Sequence, residues 1–420
     1  MPSHAAVDAA RSAPVGEIPA APAQDLEVDR IADWLIEQGL LRARFETIVA
    51  GFGERLVAAG VPLWRGYATI TTLHPTIRGV GASWRPESGV QTEHYVHRLK
   101  PSEDYLQSPF RHMLESRTPR LRLRLEEGPT GFPLLDRFRG EGASDYLALL
   151  VGYGIDGTSD GRTGLAASWA TARPGGFTAG ELAILDRLAP SLALAIQARL
   201  GHDTAVNLLN TYVGPEAGRR ILDGEIHRGS LQVIRAVIFY ADLRGFTALA
   251  DQSDREAMVE LLNAYFDCLV PIVAEHRGQV LKFLGDGLLA TFPLEDEDPA
   301  EVCARALDAA AEILVCLRDL NRERGLQQRP VMDLDMVLHL GEVVFGNVGS
   351  ADRLDFTVIG PAVNEASRIE ALCASVGRHL LVSEAFASAA VHSGDRLVGV
   401  GRFALRGVRA AQMIYALDGL

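Results

Sequence analysis

Apolar positions in this chain change period several times, and each change marks an element. From Leu26 they recur at helical spacing, with Val28, Ile31, Leu35 and Ile36 on one side of a helix ending near Gly39. A second helical stretch runs from Leu41 to Ala59. The period then shortens. Tyr67–Leu73 reads as a strand, and Arg120–Leu125 alternates Arg and Leu strictly, as a half-buried strand does. Tyr146–Tyr153 and Gly164–Ala172 read as two more strands, joined by the Gly/Asp-rich loop Gly154–Arg162. Thr178 followed by Glu181 is a capping box, and it opens a helix through Leu182–Leu200. Helical Thr204–Tyr212 breaks at Val213-Gly214, and Pro215 restarts a short helix ending near Leu222. Leu231–Tyr240 is apolar and β-branched, a buried strand, and Asp254–His276 is a long amphipathic helix. Two apolar runs then flank Gly285-Asp286-Gly287, which predicts a β-hairpin.

These elements group into an α+β chain of two domains. Residues 1–25, rich in Ala and Pro, form a disordered tail; 26–200 form a first domain, 201–230 a helical connector and 231–420 a second domain. Hydrophobic residues make up 48% and charged residues 23%, enough apolar material for sizeable cores. The net charge of −13 argues against nucleic acid or an anionic membrane surface as a partner. No run approaches the roughly 18–20 apolar residues of a membrane span. The N-terminus lacks a secretory core. Cys268, Cys303, Cys316 and Cys373 include no C-x-x-C pair, so neither a disulfide framework nor a zinc site is expected, and a reducing cytoplasm is. Of 41 basic residues only Lys100 and Lys282 are lysines, which marks the places where lysine is kept.

The chemistry gathers in the second half. Asp242 ends the buried strand and enters a glycine turn, Asp242-Leu-Arg-Gly-Phe-Thr247, which suits a Mg²⁺–phosphate site. If the hairpin lies beside that strand, Asp286 at its tip converges on Asp242, and the two carboxylates call for a cation between them. The segments Phe239–Thr247, Lys282-Phe-Leu-Gly-Asp-Gly287 and Val363-Asn-Glu-Ala-Ser-Arg368 together resemble the class III nucleotidyl cyclases, over about Leu231–Leu420. The resemblance implies a ferredoxin-like, palm-type catalytic domain. In it Asp242 and Asp286 hold two Mg²⁺ or Mn²⁺ ions, and Lys282 and Thr357 read the base. Asn364 and Arg368 act on the transition state, and Arg406 binds phosphate where the family usually has lysine; Phe246 and Thr247 join the substrate site. Thr357 replaces the aspartate of many adenylyl cyclases and is similar to the subgroup that includes bicarbonate-responsive members. Cys268 stands where some members carry a further phosphate-contacting arginine.

Residues 26–200 resemble a GAF-type sensor domain with a central antiparallel sheet, on element order and on the ending Ser168-Trp-Ala-Thr-Ala-Arg-Pro-Gly-Gly-Phe-Thr178. His74, His94, His97 and His112 have no ligand spacing and read as hydrogen-bonded or surface histidines rather than haem or metal ligands. The two resemblances together imply a cytoplasmic, sensor-regulated adenylate cyclase. ATP is its substrate, a head-to-tail homodimer its working form, and an unidentified small molecule or protein the signal at its N-terminal domain. Guanylate cyclase activity and a catalytically silent nucleotide-binding or dimerisation module remain as alternatives.

Overall fold

A computed structural model describes residues 23–97, 102–152, 164–251, 254–408 and 410–418. The expected tail as far as residue 22 and the loop Gly154–Arg162 lie outside the described residues. The chain divides into two compact units, Met1–Leu208 and Leu209–Leu420.

The first unit opens with α1 (Ala23–Leu40) and α2 (Phe45–Ala58), then β1 (Arg65–Thr71), β2 (Ile77–Arg85) and β3 (Gly89–Val96). The helices α3 (Glu103–Leu106) and α4 (Pro109–Ser116) follow, then β4 (Arg120–Arg124), α5 (Pro133–Gly140), β5 (Asp145–Val151), β6 (Leu165–Thr171) and α6 (Ala179–Val213). The strands form one antiparallel sheet in the order β3-β2-β1-β6-β5-β4. One face packs against α1, α2 and α6 through Ile31, Leu35, Ile48, Phe52, Leu185 and Leu192. The other packs against α4 and α5 through Met113, Leu135 and Phe138. With both faces covered, β5 and β6 are buried almost throughout, so each reads as an apolar run. β3 is exposed nearly end to end, and its polar sequence carries no strand pattern. The capping box forms as predicted: Glu181 N–H donates to Thr178 Oγ1 at 3.3 Å, and Thr178 N–H donates to Glu181 Oε2 at 2.8 Å. Where the sequence suggests separate helices before and after residue 200, α6 runs unbroken through Pro190 for 35 residues. His74 and His97 are engaged locally: Thr76 N–H donates to His74 Nδ1, and His97 Nε2 meets the His74 carbonyl.

The second unit begins with α7 (Pro215–Leu222), β7 (Leu231–Leu243), α8 (Phe246–Ala250) and α9 (Arg255–Glu275). It continues through β8 (Gln279–Leu284), β9 (Gly287–Pro293), α10 (Pro299–Leu326), β10 (Leu334–Gly349), β11 (Leu354–Ile359) and α11 (Pro361–Glu370). It closes with α12 (Cys373–Val376), β12 (Leu380–Ser383), α13 (Glu384–Ala389), β13 (Leu397–Phe403) and β14 (Gln412–Leu417). The sheet order is β13-β14-β12-β10-β7-β9-β8, with β11 paired to the far part of β10. Its centre, β7-α9-β8-β9-α10-β10 with strand order β10-β7-β9-β8, is a ferredoxin-like split βαβ pair. Helices α9 and α10 cover one face, and α7 and α11 the other.

Two features depart from the sequence reading. A disulfide joins Cys268 of α9 to Cys316 of α10, with Cα atoms 6.3 Å apart. The spacing of these residues along the chain gives no sign of it, because packing two helices side by side creates the proximity. Among the described residues, α9 is also long and apolar enough by composition to cross a membrane. Its apolar side, including Leu261, Tyr265, Leu269 and Val273, forms part of the core against the sheet.

Candidate active site

Strand β7 delivers the first carboxylate. Val237, Phe239, Ala241 and Leu243 enter the core beneath α9 and α10, so alternation turns Tyr240 and Asp242 to the opposite face, which α11 covers. Across the sheet, Ala241 pairs with Leu288, and Leu284 pairs with Gly287, leaving Gly285-Asp286 as a two-residue turn. Gly285 adopts φ +70°, a left-handed conformation that favours glycine in such a turn. The turn lies at the end of β7, and Asp286 joins Asp242 there. A Cβ on Gly287 would lie 2.7 Å from Asp242 Oδ1 and 2.9 Å from the Ala241 carbonyl, so only glycine lets the hairpin approach this carboxylate.

The local field calls for a cation. Burial pushes the Asp242 carboxyl up to about 6, and the negative charges of Asp286 and Asp335 add to the effect. On α11, Glu370 is pushed up to about 7, first by burial and then by Asp242 and Asp335. Asp335 is 3% exposed and pairs across the ladder with Asp242. Arg244 Nε donates to it at 2.8 Å, which ties the turn after β7 back to the sheet. Among the described residues no cluster of three or more His, Cys, Asp or Glu forms a metal cage. Two converging carboxylates fit Mg²⁺ or Mn²⁺ nonetheless, because such ions are commonly held by one or two carboxylates together with phosphate and water oxygens.

A second group lies on β8 and β11. Phe356 and Val358 face the core, so Asp355 and Thr357 share the opposite side of β11. Lys282, on β8, forms an ion pair with Asp355. The ion pair with Asp355 therefore brings the base-reading candidate Lys282 to the side of β11 that also carries Thr357. Alternation alone puts Asp355 and Thr357 on one side; the approach of β8 to β11 was not legible in the sequence.

The third group is carried by α11 and the segment after β13. Ala362, Ala366 and Ile369 bury the inner side of α11, leaving Asn364 exposed and Arg368 half-buried one turn apart. The Arg368 guanidinium lies beside Gly407, at 3.5 Å from where a Cβ on that glycine would be, and Arg406 is the exposed neighbour. Phe246 is partly buried against the core and Thr247 is exposed, both opening α8 behind Gly245 at φ +80°. Cys268, 6% exposed and bonded to α10, lies in the core on the other face of the sheet from Asp242.

Residues 232–419 match the family described as the adenylate and guanylate cyclase catalytic domain. This segment is a class III cyclase catalytic domain. The chain is 34% identical over 163 residues to an adenylate cyclase of Anabaena cylindrica, covering 38% of this chain and 31% of that protein. It is 33% identical over 148 residues to adenylate cyclase 1 of Rhizobium meliloti, covering 35% of this chain and 22% of that protein. The chain thus spans less than a third of the length of these curated relatives. Among solved structures, the adenylyl cyclase CyaB of P. aeruginosa aligns with a TM-score of 0.41 at 26% identity, over 46% of this chain and 97% of that one. Three residues of the cyclase domain escaped the sequence reading: Asp355, Asp335 and Glu370. The first carried a signal, a carboxylate two positions before Thr357. The other two come to Asp242 only through the pairing of β10 with β7 and the packing of α11.

Proposed function

We propose that this chain is an adenylate cyclase, converting ATP to 3′,5′-cyclic AMP and pyrophosphate. The observation that carries the reading is the convergence of Asp242 and Asp286 beside a glycine that keeps the space open. The names of the relatives from Anabaena cylindrica and Rhizobium meliloti support adenine over guanine. So does Lys282, since a lysine can donate to adenine N1.

In this reading Asp242 and Asp286 hold two Mg²⁺ or Mn²⁺ ions, which supply Lewis acidity at the ribose 3′-oxygen and charge compensation at the leaving pyrophosphate. Lys282 donates to N1, and Thr357 accepts from the N6 amino group. Arg368 stabilises charge developing on the α-phosphoryl oxygens as the 3′-oxygen attacks. Asn364 orients the ribose, Arg406 holds the terminal phosphates, and Phe246 and Thr247 border the phosphate site. Each chain contributes one copy of each set, so a head-to-tail homodimer assembles two composite sites. Residues 26–200 act as a GAF-like regulatory domain, 201–230 as the transducing connector and 231–420 as the catalytic domain, working in the cytoplasm where ATP is supplied.

The test is cyclic AMP formation from ATP with Mn²⁺ on purified protein. Wild type turns over, and Asp286→Ala does so at least about a hundredfold more slowly with its melting temperature retained. A wild-type rate in that variant, or cyclic GMP from GTP as the preferred product, refutes the proposal.

A further inference from the structure

Four cysteines lie in the second unit, and two of them meet. Cys268 and Cys316 bond α9 to α10, while Cys303 and Cys373 are fully buried free thiols. Burial pushes the Cys303 thiol up to about 12 and the Cys373 thiol well above its ordinary value, so neither supplies thiolate for exchange. Cys316 is only partly buried, whereas Cys268 is 6% exposed. On the same helix as Cys268, Phe266 packs its ring 4.4 Å from Phe283, the residue after Lys282. The bonded pair is therefore linked through one helix to the strand that carries the base-reading lysine.

We propose that Cys268–Cys316 is a reversible redox modification site, opened and closed by exchange with a small thiol couple such as glutathione, and that closing it fixes α9 against the Lys282 strand. Opening balances as two exchanges. A glutathione thiolate attacks Cys316 Sγ, breaking the bond and releasing the Cys268 thiolate, which takes a proton. A second glutathione thiolate then attacks the mixed disulfide, giving glutathione disulfide and the Cys316 thiolate, which is protonated in turn. Closing is the reverse, with glutathione disulfide as the oxidant. The kinetic consequence rests on the cyclase reading; the exchange itself does not.

The experiment equilibrates the full chain in buffers of graded glutathione to glutathione disulfide ratio, alkylates free thiols and reads the products by mass. The expected result is a linked 268–316 peptide pair that opens as the ratio rises, with Cys303 and Cys373 as thiols throughout. The closed loop spans 48 residues, so the closed form melts higher by roughly 10 °C. The open form shows a KM for ATP raised about twofold or more with little change in kcat, and Cys316→Ser keeps one KM in every buffer. Failure of the pair to close at any ratio overturns the proposal, as does one KM for both states. If the protein makes no cyclic nucleotide at all, the cyclase reading falls, and equal melting temperatures for the open and closed forms then overturn this proposal separately.

Discussion

Gly287→Ala isolates the geometry of the metal site from its chemistry, because it removes no functional group. Gly287 is not among the residues at positive φ, so alanine meets no backbone penalty there. The cost comes from contact. The new methyl would sit 2.7 Å from Asp242 Oδ1 and 2.9 Å from the Ala241 carbonyl. Ordinary carbon–oxygen contacts lie at about 3.3–3.6 Å, so the hairpin and the carboxylate must separate by roughly 0.6–0.9 Å. The Ala241 carbonyl is fixed in a buried central strand, which leaves the Asp242 side chain and the Asp286 turn to move. Overpacking of this size costs about 1–3 kcal/mol of stability. A displacement near 1 Å at reacting groups costs about a hundredfold in rate. The expected outcome is a folded protein, melting a few degrees lower, with kcat for cyclic AMP formation reduced roughly a hundredfold at saturating Mn²⁺. Circular dichroism melts and a cyclic AMP assay across a Mn²⁺ titration read both quantities. A kcat within about threefold of wild type would refute the argument that the glycine makes room for the carboxylate pair.

Mixing Asp242→Ala with Arg368→Ala, each inactive alone, should restore activity to about a quarter of wild type: half the exchanged dimers are mixed, and each mixed dimer keeps one intact site of two. No recovery after demonstrated subunit exchange removes the shared site. Lys282→Glu places a carboxylate against Asp355 in place of the ion pair, and ATP turnover should fall ten- to a hundredfold or more, by about the worth of a buried partner lost. Thr357→Val should lower ATP turnover relative to GTP, and unchanged ratios in both variants would dismiss this pair as base readers. His339, 4% exposed with Nδ1 unpartnered, has its pKa lowered by burial against a smaller opposing effect of Glu365. The unfolded chain takes up its proton near pH 6.5 and the folded chain only at lower pH. Stability is therefore lost as pH falls below about 6.5, by up to about 1.4 kcal/mol per pH unit from this group. On going from pH 7.5 to 5.5 the urea midpoint should shift less unfavourably in His339→Gln than in wild type, and an equal shift in both would show that His339 contributes no acid sensitivity.

Local pattern alone determined those elements whose burial is one-sided or whose ends are chemically marked. The alternation of Arg120–Arg124, the capping box at Thr178 and Glu181, the Gly-Asp turn at 285–286 and the aspartate that ends β7 are visible because each depends on neighbours within a few residues. β3 left no trace, since an edge strand exposed on both sides has no reason to alternate. Tertiary structure alone decided which distant residues share a site. Asp335 reaches Asp242 through a ladder partner some ninety residues away along the chain. Asp355 meets Lys282 because the far part of β10 carries β11 toward β8. The Cys268–Cys316 bond exists because two helices on one face of the sheet lie side by side. Sequence periodicity records which side of an element is buried, and the pairing of those sides, set by sheet order and helix packing, places the carboxylates, the lysine and the sulfur pair.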